Sequence, residues 1–240
     1  KKKLPYIQMV ELLDDNIFAL PMEKIDTFCK IYKEKIGLPM YFTGYPNDIN
    51  EENLSRFIDA GLIITCMGVQ TGSKRTKKLY KRNVSDETIL KAVQAIHKFK
   101  DFLLASEYDV IIDNPYETNE DVADTIRLLL KFPKPRYFRL FSLTFFPGTE
   151  LYEKAKQDGI ISEEDELNGY RKNYFGFLYR RKKYLNFVFP LLNQNIPTFL
   201  IKILINKYVI FLFDRPSINN FLFGIMAFLR KFREKRRKSR

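Results

Sequence analysis

Cysteine and histidine are scarce in this chain: Cys29, Cys66 and His97 are all it has. No C-x-x-C pair occurs, so these side chains cannot complete a four-cysteine metal site. Two thiols this far apart give no disulfide framework, and a reducing, cytoplasmic setting is expected. His97 falls inside a helical pattern and reads as an ordinary helix residue. No apolar stretch reaches the unbroken length of a membrane-spanning helix. No secretory signal is visible at the start. The sequence opens at Lys1 without an initiator Met, which predicts a processed chain or one cut from something longer.

What is present is enough to fold. The chain has 240 residues, 45% of them hydrophobic, with Phe and Tyr in plenty. That supports one substantial domain with an appendage and argues against long disorder. The net charge of +12 is uneven. Residues 171–240 hold 17 Lys/Arg against 2 acids, a net of +15, and residues 1–170 hold 24 against 27, a net of −3. This shift predicts a boundary between a region 1–160 and a basic region 161–240.

Apolar, β-rich runs alternate with amphipathic ones. Strands are expected at Tyr6–Val10, Met40–Thr43, Ile63–Val69, Leu104–Ile112 and Tyr137–Phe145. Helices are expected at Pro21–Ile36, Glu51–Ala60, Asp86–Lys100 and Asn119–Lys131. Asn50, Ser85, Thr118 and Ser162 stand where N-caps belong. Strand–helix alternation at this spacing predicts an α/β fold of parallel βα units. Five strands are too few for a closed barrel, so the sheet should be open or incomplete. Its first strand would have a bare edge, which predicts a partner strand upstream. After residue 160 three helical stretches are expected, Glu163–Phe189, Leu200–Phe213 and Ile218–Lys231. They read as an appendage packed on the sheet, with membrane-surface binding as the alternative. The last eleven residues form a basic run that reads as a solvated tail, with RNA or anionic lipid as possible contacts.

Parallel strands bring their C-terminal ends to one face, where ligands bind. Five polar or glycine-bearing clusters fall there: Glu11–Asn16, Thr43–Pro46, Gly68–Ser73 followed by Lys81-Arg82, Asp109–Thr118, and Phe146–Thr149. Singly, each is loop punctuation or a helix cap. Together they make a rim suited to a polar ligand, such as a nucleoside with an amino-acid tail.

The order of these pieces carries a resemblance. The chain shows Asp14-Asp15-Asn16-Ile17-Phe18, then Asn50-Glu51-Glu52-Asn53-Leu54 with Ala60-Gly61-Leu62, then Met67-Gly68-Val69-Gln70-Thr71-Gly72-Ser73. Leu79-Tyr80-Lys81-Arg82-Asn83-Val84-Ser85 follows, then Ile111–Asp121 and Pro147-Gly148-Thr149-Glu150-Leu151-Tyr152. Over residues 5–160 this resembles the second to sixth βα units of a radical S-adenosylmethionine (radical SAM) enzyme. The helical region beyond is similar, less specifically, to the extension of cobalamin-binding-domain members.

The resemblance implies a partial, TIM-like (β/α) barrel, a [4Fe–4S] cluster and S-adenosylmethionine (SAM), with cobalamin a further possibility. It also implies a flavodoxin- or ferredoxin-type reductant and an unidentified substrate. By motif position, Gln70 is similar to the residue that contacts SAM from the fourth strand. Arg82 is similar to the basic residue that pairs with the SAM carboxylate, and Asp109 to an acid that reaches the ribose. The backbone at Ile111–Asn114 and Leu143–Phe145 would line the adenine, and Ser73 belongs to the same rim. Thr43 stands where some members have a Glu that contacts SAM.

Asp113 and Tyr116 replace glycines of a Gly-x-Pro-Gly-Glu-Thr pattern, and their bulk is expected to crowd the adenine. The cluster motif C-x3-C-x2-C is absent, so its ligands are expected upstream of Lys1 and the chain alone is expected to be inactive. Two other classes of function stay open at this point. One is a non-catalytic scaffold derived from such an enzyme. The other is a membrane- or RNA-associated protein acting through residues 171–240.

Overall fold

The computed structural model describes residues 6–14, 16–161 and 183–225. The elements run β1 (Val10–Leu12), α1 (Met22–Lys35), β2 (Met40–Gly44), α2 (Glu51–Ala60), β3 (Leu62–Gln70), α3 (Lys74–Leu79), α4 (Asp86–Lys98), β4 (Ala105–Ile112), α5 (Asn119–Leu129), β5 (Tyr137–Ser142) and α6 (Glu150–Gln157). Beyond these come α7 (Tyr184–Val188), which continues as a 3-10 turn Phe189–Asn193, then α8 (Thr198–Leu204) and α9 (Lys207–Phe213). Residues 216–225 are also helical.

The strands form one sheet in chain order, β1-β2-β3-β4-β5. The pairs β1–β2, β2–β3 and β3–β4 are parallel. The sheet is open, as the strand count predicted, and the α/β class holds.

Local chemistry explains the helix starts. The Asn50 side chain accepts from the backbone N–H of Asn53, and Asn53 returns the bond to the Asn50 N–H. Thr118 and Asp121 do the same for α5, while Ser85 caps α4 and Thr149 caps α6. Each satisfies N–H groups that the first helical turn leaves without a partner.

Several boundaries differ from the sequence reading. The first strand is Val10–Leu12, not Tyr6–Val10, because its extent follows β2: Val10 is in register with Met40 and Leu12 with Phe42. The last strand stops at Ser142 instead of Phe145. Helix α3 was not expected, since Lys-Arg-Thr-Lys-Lys-Leu has no apolar stripe; the Ser73 hydroxyl starts it by accepting from the Thr76 N–H. The single helix expected over Leu200–Phe213 is two, because the Asn206 side chain accepts from the Tyr208 N–H and starts a new helix. The helix expected over Glu163–Phe189 lies mostly outside the described residues, as do the Ser162 cap and the end of Ile218–Lys231.

The chain divides into two compact units. The first is Lys1–Gly72, Lys81–Val110 and Lys131–Arg139. On one side of its sheet, Phe18, Phe42 and Phe57 pack with ring centroids 4.9–5.2 Å apart, and Tyr108, Phe132 and Phe138 form a second cluster. Alternation does the sorting. Met40, Phe42 and Gly44 of β2 are buried, as are Ser106, Tyr108 and Val110 of β4, while Tyr41, Thr43, Glu107 and Asp109 between them are half-buried.

The second unit is Ser73–Tyr80, Ile111–Leu130 and Leu140–Arg240. There α5 packs on α3 and α7, and α9 packs on α7 and α8. Ile126, Leu129, Leu185, Val188 and Ile201 are among its buried apolar residues.

Candidate functional site

In the first unit, β2 and β3 end in a rim built around Gly68, Gln70, Arg82 and Tyr45. The register between β3 and β4 shifts between Gly68 and Gln70, and Gln70 takes φ 65°, in the left-handed region. That bulge re-aims the end of the strand. A Cβ on Gly68 would sit 2.9 Å from Gln70 Nε2 and 3.7 Å from Arg82 Nη2, so the glycine makes room for both side chains. Arg82 Nη2 donates to the Gly68 carbonyl at 2.7 Å, and its guanidinium carbon lies 4.6 Å from the Tyr45 ring centroid. Arg82 Nε is buried without a hydrogen-bond partner. Among the described residues no carboxylate pairs with this cation. Burial pulls its pKa below the usual arginine range, against the pull of nearby Tyr45. A half-buried guanidinium that lacks an anion, at the carboxyl end of a parallel sheet, is a place for an anionic ligand group.

Farther down the same face the polar groups serve one another. Arg139 of β5 forks onto Asp109 at 2.7 and 3.0 Å, reaches Glu107 at 3.1 Å, and also donates to the Tyr41 hydroxyl. The β3–β4 register sets Cys66 opposite Glu107 and Gly68 opposite Asp109, and the β2–β3 register sets Thr43 opposite Cys66. Burial works against the Arg139 cation, but the bonds and charge of Asp109 outweigh it and raise its pKa. Burial raises the Cys66 thiol, and Asp109 raises it further. Tyr41 is pushed up to about 12, chiefly by burial.

Asp109 is therefore engaged by Arg139, and its remaining lone pairs are what a ligand could use. Arg139, Glu107 and Tyr41 escaped the sequence reading, whereas Tyr45 lies in the expected Thr43–Pro46 cluster. A signal was there for two of them: Glu107 is two residues from Asp109, and Arg139 interrupts an apolar strand.

Ser73 and Asp113 belong to the second unit. The Ser73 hydroxyl donates to Asp121 at 2.6 Å while capping α3. Arg75 forks onto the same carboxylate and Thr118 donates to it at 2.6 Å. Burial alone would raise the Asp121 pKa, yet the bonds from Arg75, Ser73 and Thr118 hold it well below the usual carboxylate range. Ser73 thus has an architectural duty. Asp113 sits at φ 63°, which explains why glycine would be natural there. The Tyr116 hydroxyl donates to Asp158 at 2.8 Å, and Lys154 lies over the Tyr116 ring.

Cys29 and Cys66 are buried free thiols. Burial, helped by Asp26 and Asp59, pushes Cys29 up to about 11. Among the described residues no three His, Cys, Asp or Glu side chains gather as a metal group.

A parallel sheet with helices and a polar rim at its carboxyl ends defines an open (β/α)-barrel module. No family model matches the chain. It is 29% identical over 178 residues to the tRNA-2-methylthio-N(6)-dimethylallyladenosine synthase of Aquifex aeolicus, covering 69% of this chain and 39% of that protein. The enzyme of the same name from Orientia tsutsugamushi is 29% identical over 135 residues, covering 55% and 28%.

Solved structures share the fold, two of them as follows. One is coproporphyrinogen III oxidase (HemN) from Escherichia coli, a radical SAM enzyme, with TM-score 0.55, 18% identity and 69% of this chain covered against 38% of that one. The other is the radical SAM methyltransferase TsrM from Kitasatospora setae, with cobalamin and a [4Fe-4S] cluster bound; its TM-score is 0.50, with 17% identity and 63% and 29% covered. The chain is thus similar in sequence to these two synthases and in fold to these two structures, and it spans well under half the length of each.

Proposed function

We propose that this chain supplies the SAM-cradling wall of a radical SAM enzyme. The observation that carries the proposal is Arg82: a half-buried guanidinium held between the Gly68 carbonyl and the Tyr45 ring, with Nε unsatisfied and, among the described residues, no carboxylate beside it. That donor set fits the carboxylate of an amino-acid tail. Gln70, aimed by its left-handed backbone, offers an amide beside Arg82 that can both donate and accept. Asp109, pinned by Arg139, keeps acceptor capacity for hydroxyl groups on the same face.

The residues described here do not fit an iron–sulfur cluster, because both thiols are buried and unlike in setting. When bound, SAM and a reduced cluster supply the 5′-deoxyadenosyl radical; this wall binds SAM, orients it and keeps water from it.

Equilibrium dialysis of the 240-residue chain with radiolabelled SAM tests the proposal. Saturable retention that Arg82→Ala weakens and Arg82→Lys partly restores is the expected result. Retention indifferent to Arg82 would overturn it. Anaerobic reconstitution with iron and sulfide should leave the chain without cluster absorbance, and a stoichiometric [4Fe–4S] cluster would contradict the assignment of the thiols.

A further inference from the structure

The second unit exposes apolar surface of a kind its fold does not require. Helices α8 and α9 bury Ile201 and Ile210, with Ile205 between them, beneath the unit. Their other faces are also apolar but lie in water. Phe199 is 61% exposed, Ile203 53%, Tyr208 68%, Phe211 74% and Leu212 55%, and Phe221 in the next helical stretch is 68% exposed. A helix that is apolar all round is normally buried, so these faces call for a partner.

The charges beside them share one sign. Lys202, Lys207 and Arg215 are exposed, and Lys207 and Arg215 lie over the Tyr208 and Phe211 rings at 5.0 and 5.9 Å. Asp214, the lone acid in residues 198–225, is turned inward: it accepts from the Tyr184 N–H, Asn119 and Asn219. Glu120, which lines the hollow beside Lys202 and Lys207, is paired with Arg127. In sequence the chain then runs into eight Lys/Arg against one acid over residues 226–240.

We infer that α8, α9 and the helical stretch 216–225 form a docking surface for an anionic lipid bilayer. Aromatic and aliphatic side chains would enter the headgroup–acyl boundary while lysine and arginine meet lipid phosphates. A second copy of the chain would bring the same positive charge to the contact. RNA would engage the cations and rings but leave Leu200, Ile203 and Leu212 without apolar cover. No helix among the described residues is long and apolar enough to cross a membrane, which fits a surface contact.

Co-sedimentation of the full chain with vesicles tests this. One set is phosphatidylcholine alone, the other phosphatidylcholine with phosphatidylglycerol. The wild type should sediment with the anionic set and release at high salt only in part, since the apolar contribution is not screened. The variant Phe199→Ser/Phe211→Ser/Leu212→Ser changes exposed positions and should keep its thermal midpoint while binding on the order of a hundredfold more weakly. Lys202→Gln/Lys207→Gln/Arg215→Gln should lose roughly tenfold to a hundredfold on anionic vesicles. Three outcomes overturn the inference. They are wild type that stays in the supernatant, serine-variant binding equal to wild type, and a patch that instead drives self-association or binding to tRNA.

Discussion

Arg139 and Arg82 belong to the same compact unit, and both guanidinium groups are half-buried, yet their surroundings are opposite. Arg139 is saturated: Asp109, Glu107 and Tyr41 converge on it, and the Arg139 and Asp109 side chains retain only 28% and 14% of their exposure. Arg82 has a backbone carbonyl, an aromatic face and an unsatisfied Nε. Burying a cation without a counter-ion is costly, so natural chains keep such an arrangement where something else completes it. The first arginine holds the face of the sheet together. The second stands at its rim with a donor unused, which is where the proposed function puts an anion.

Five changes press on that contrast and on the polar groups around it. Arg139→Leu should be the most damaging, because it strands two carboxylates: a loss of roughly 3–5 kcal/mol in urea unfolding is expected. Arg82→Ala should do the reverse, leaving stability within about 1 kcal/mol of wild type while lowering SAM retention about tenfold to a hundredfold. If both substitutions destabilise equally, the distinction between a closed and an open arginine is wrong.

Ser73→Ala removes a cap and a donor to Asp121, and should cost about 1–2 kcal/mol. Its effect should grow with the charge on Asp121. The Asp121 pKa is lowered in the folded state, so its stabilisation is present above the ordinary carboxylate value of about 4 and is lost as pH falls below it. Unfolding midpoints between neutral and acid pH should show that loss, and Asp121→Asn should flatten it. Gly68→Ala should be mildest for stability, under about 1 kcal/mol, since the added methyl meets the movable end of Gln70. It should still weaken SAM retention, because Gln70 must leave its place beside Arg82.

Much of this architecture was legible beforehand. The alternation of Met40, Phe42 and Gly44 with Tyr41 and Thr43, the caps at Asn50, Ser85 and Thr118, and the spacing of the βα units are local signals, and the folded chain keeps them. Gln70 and Arg82 could be placed on the rim because each follows a strand end in a recognisable order of motifs. The end of β1, the break at Asn206 and the existence of α3 were not legible. Strand length depends on a partner 30 residues away, and a single side-chain cap outweighed an apolar run.

By itself, then, the sequence determined the parallel α/β class, the helix starts and the segregation of positive charge into residues 171–240, since propensity, capping and net charge are properties of short stretches. Only the tertiary structure decided how the charges are used. It spent Asp109 on Arg139 and Ser73 on Asp121, left Arg82 without an anion among the described residues, and turned Asp214 inward while leaving Phe211 in water. Pairing and burial join residues 30 to 100 positions apart, and no local pattern encodes which of two like side chains will find its partner.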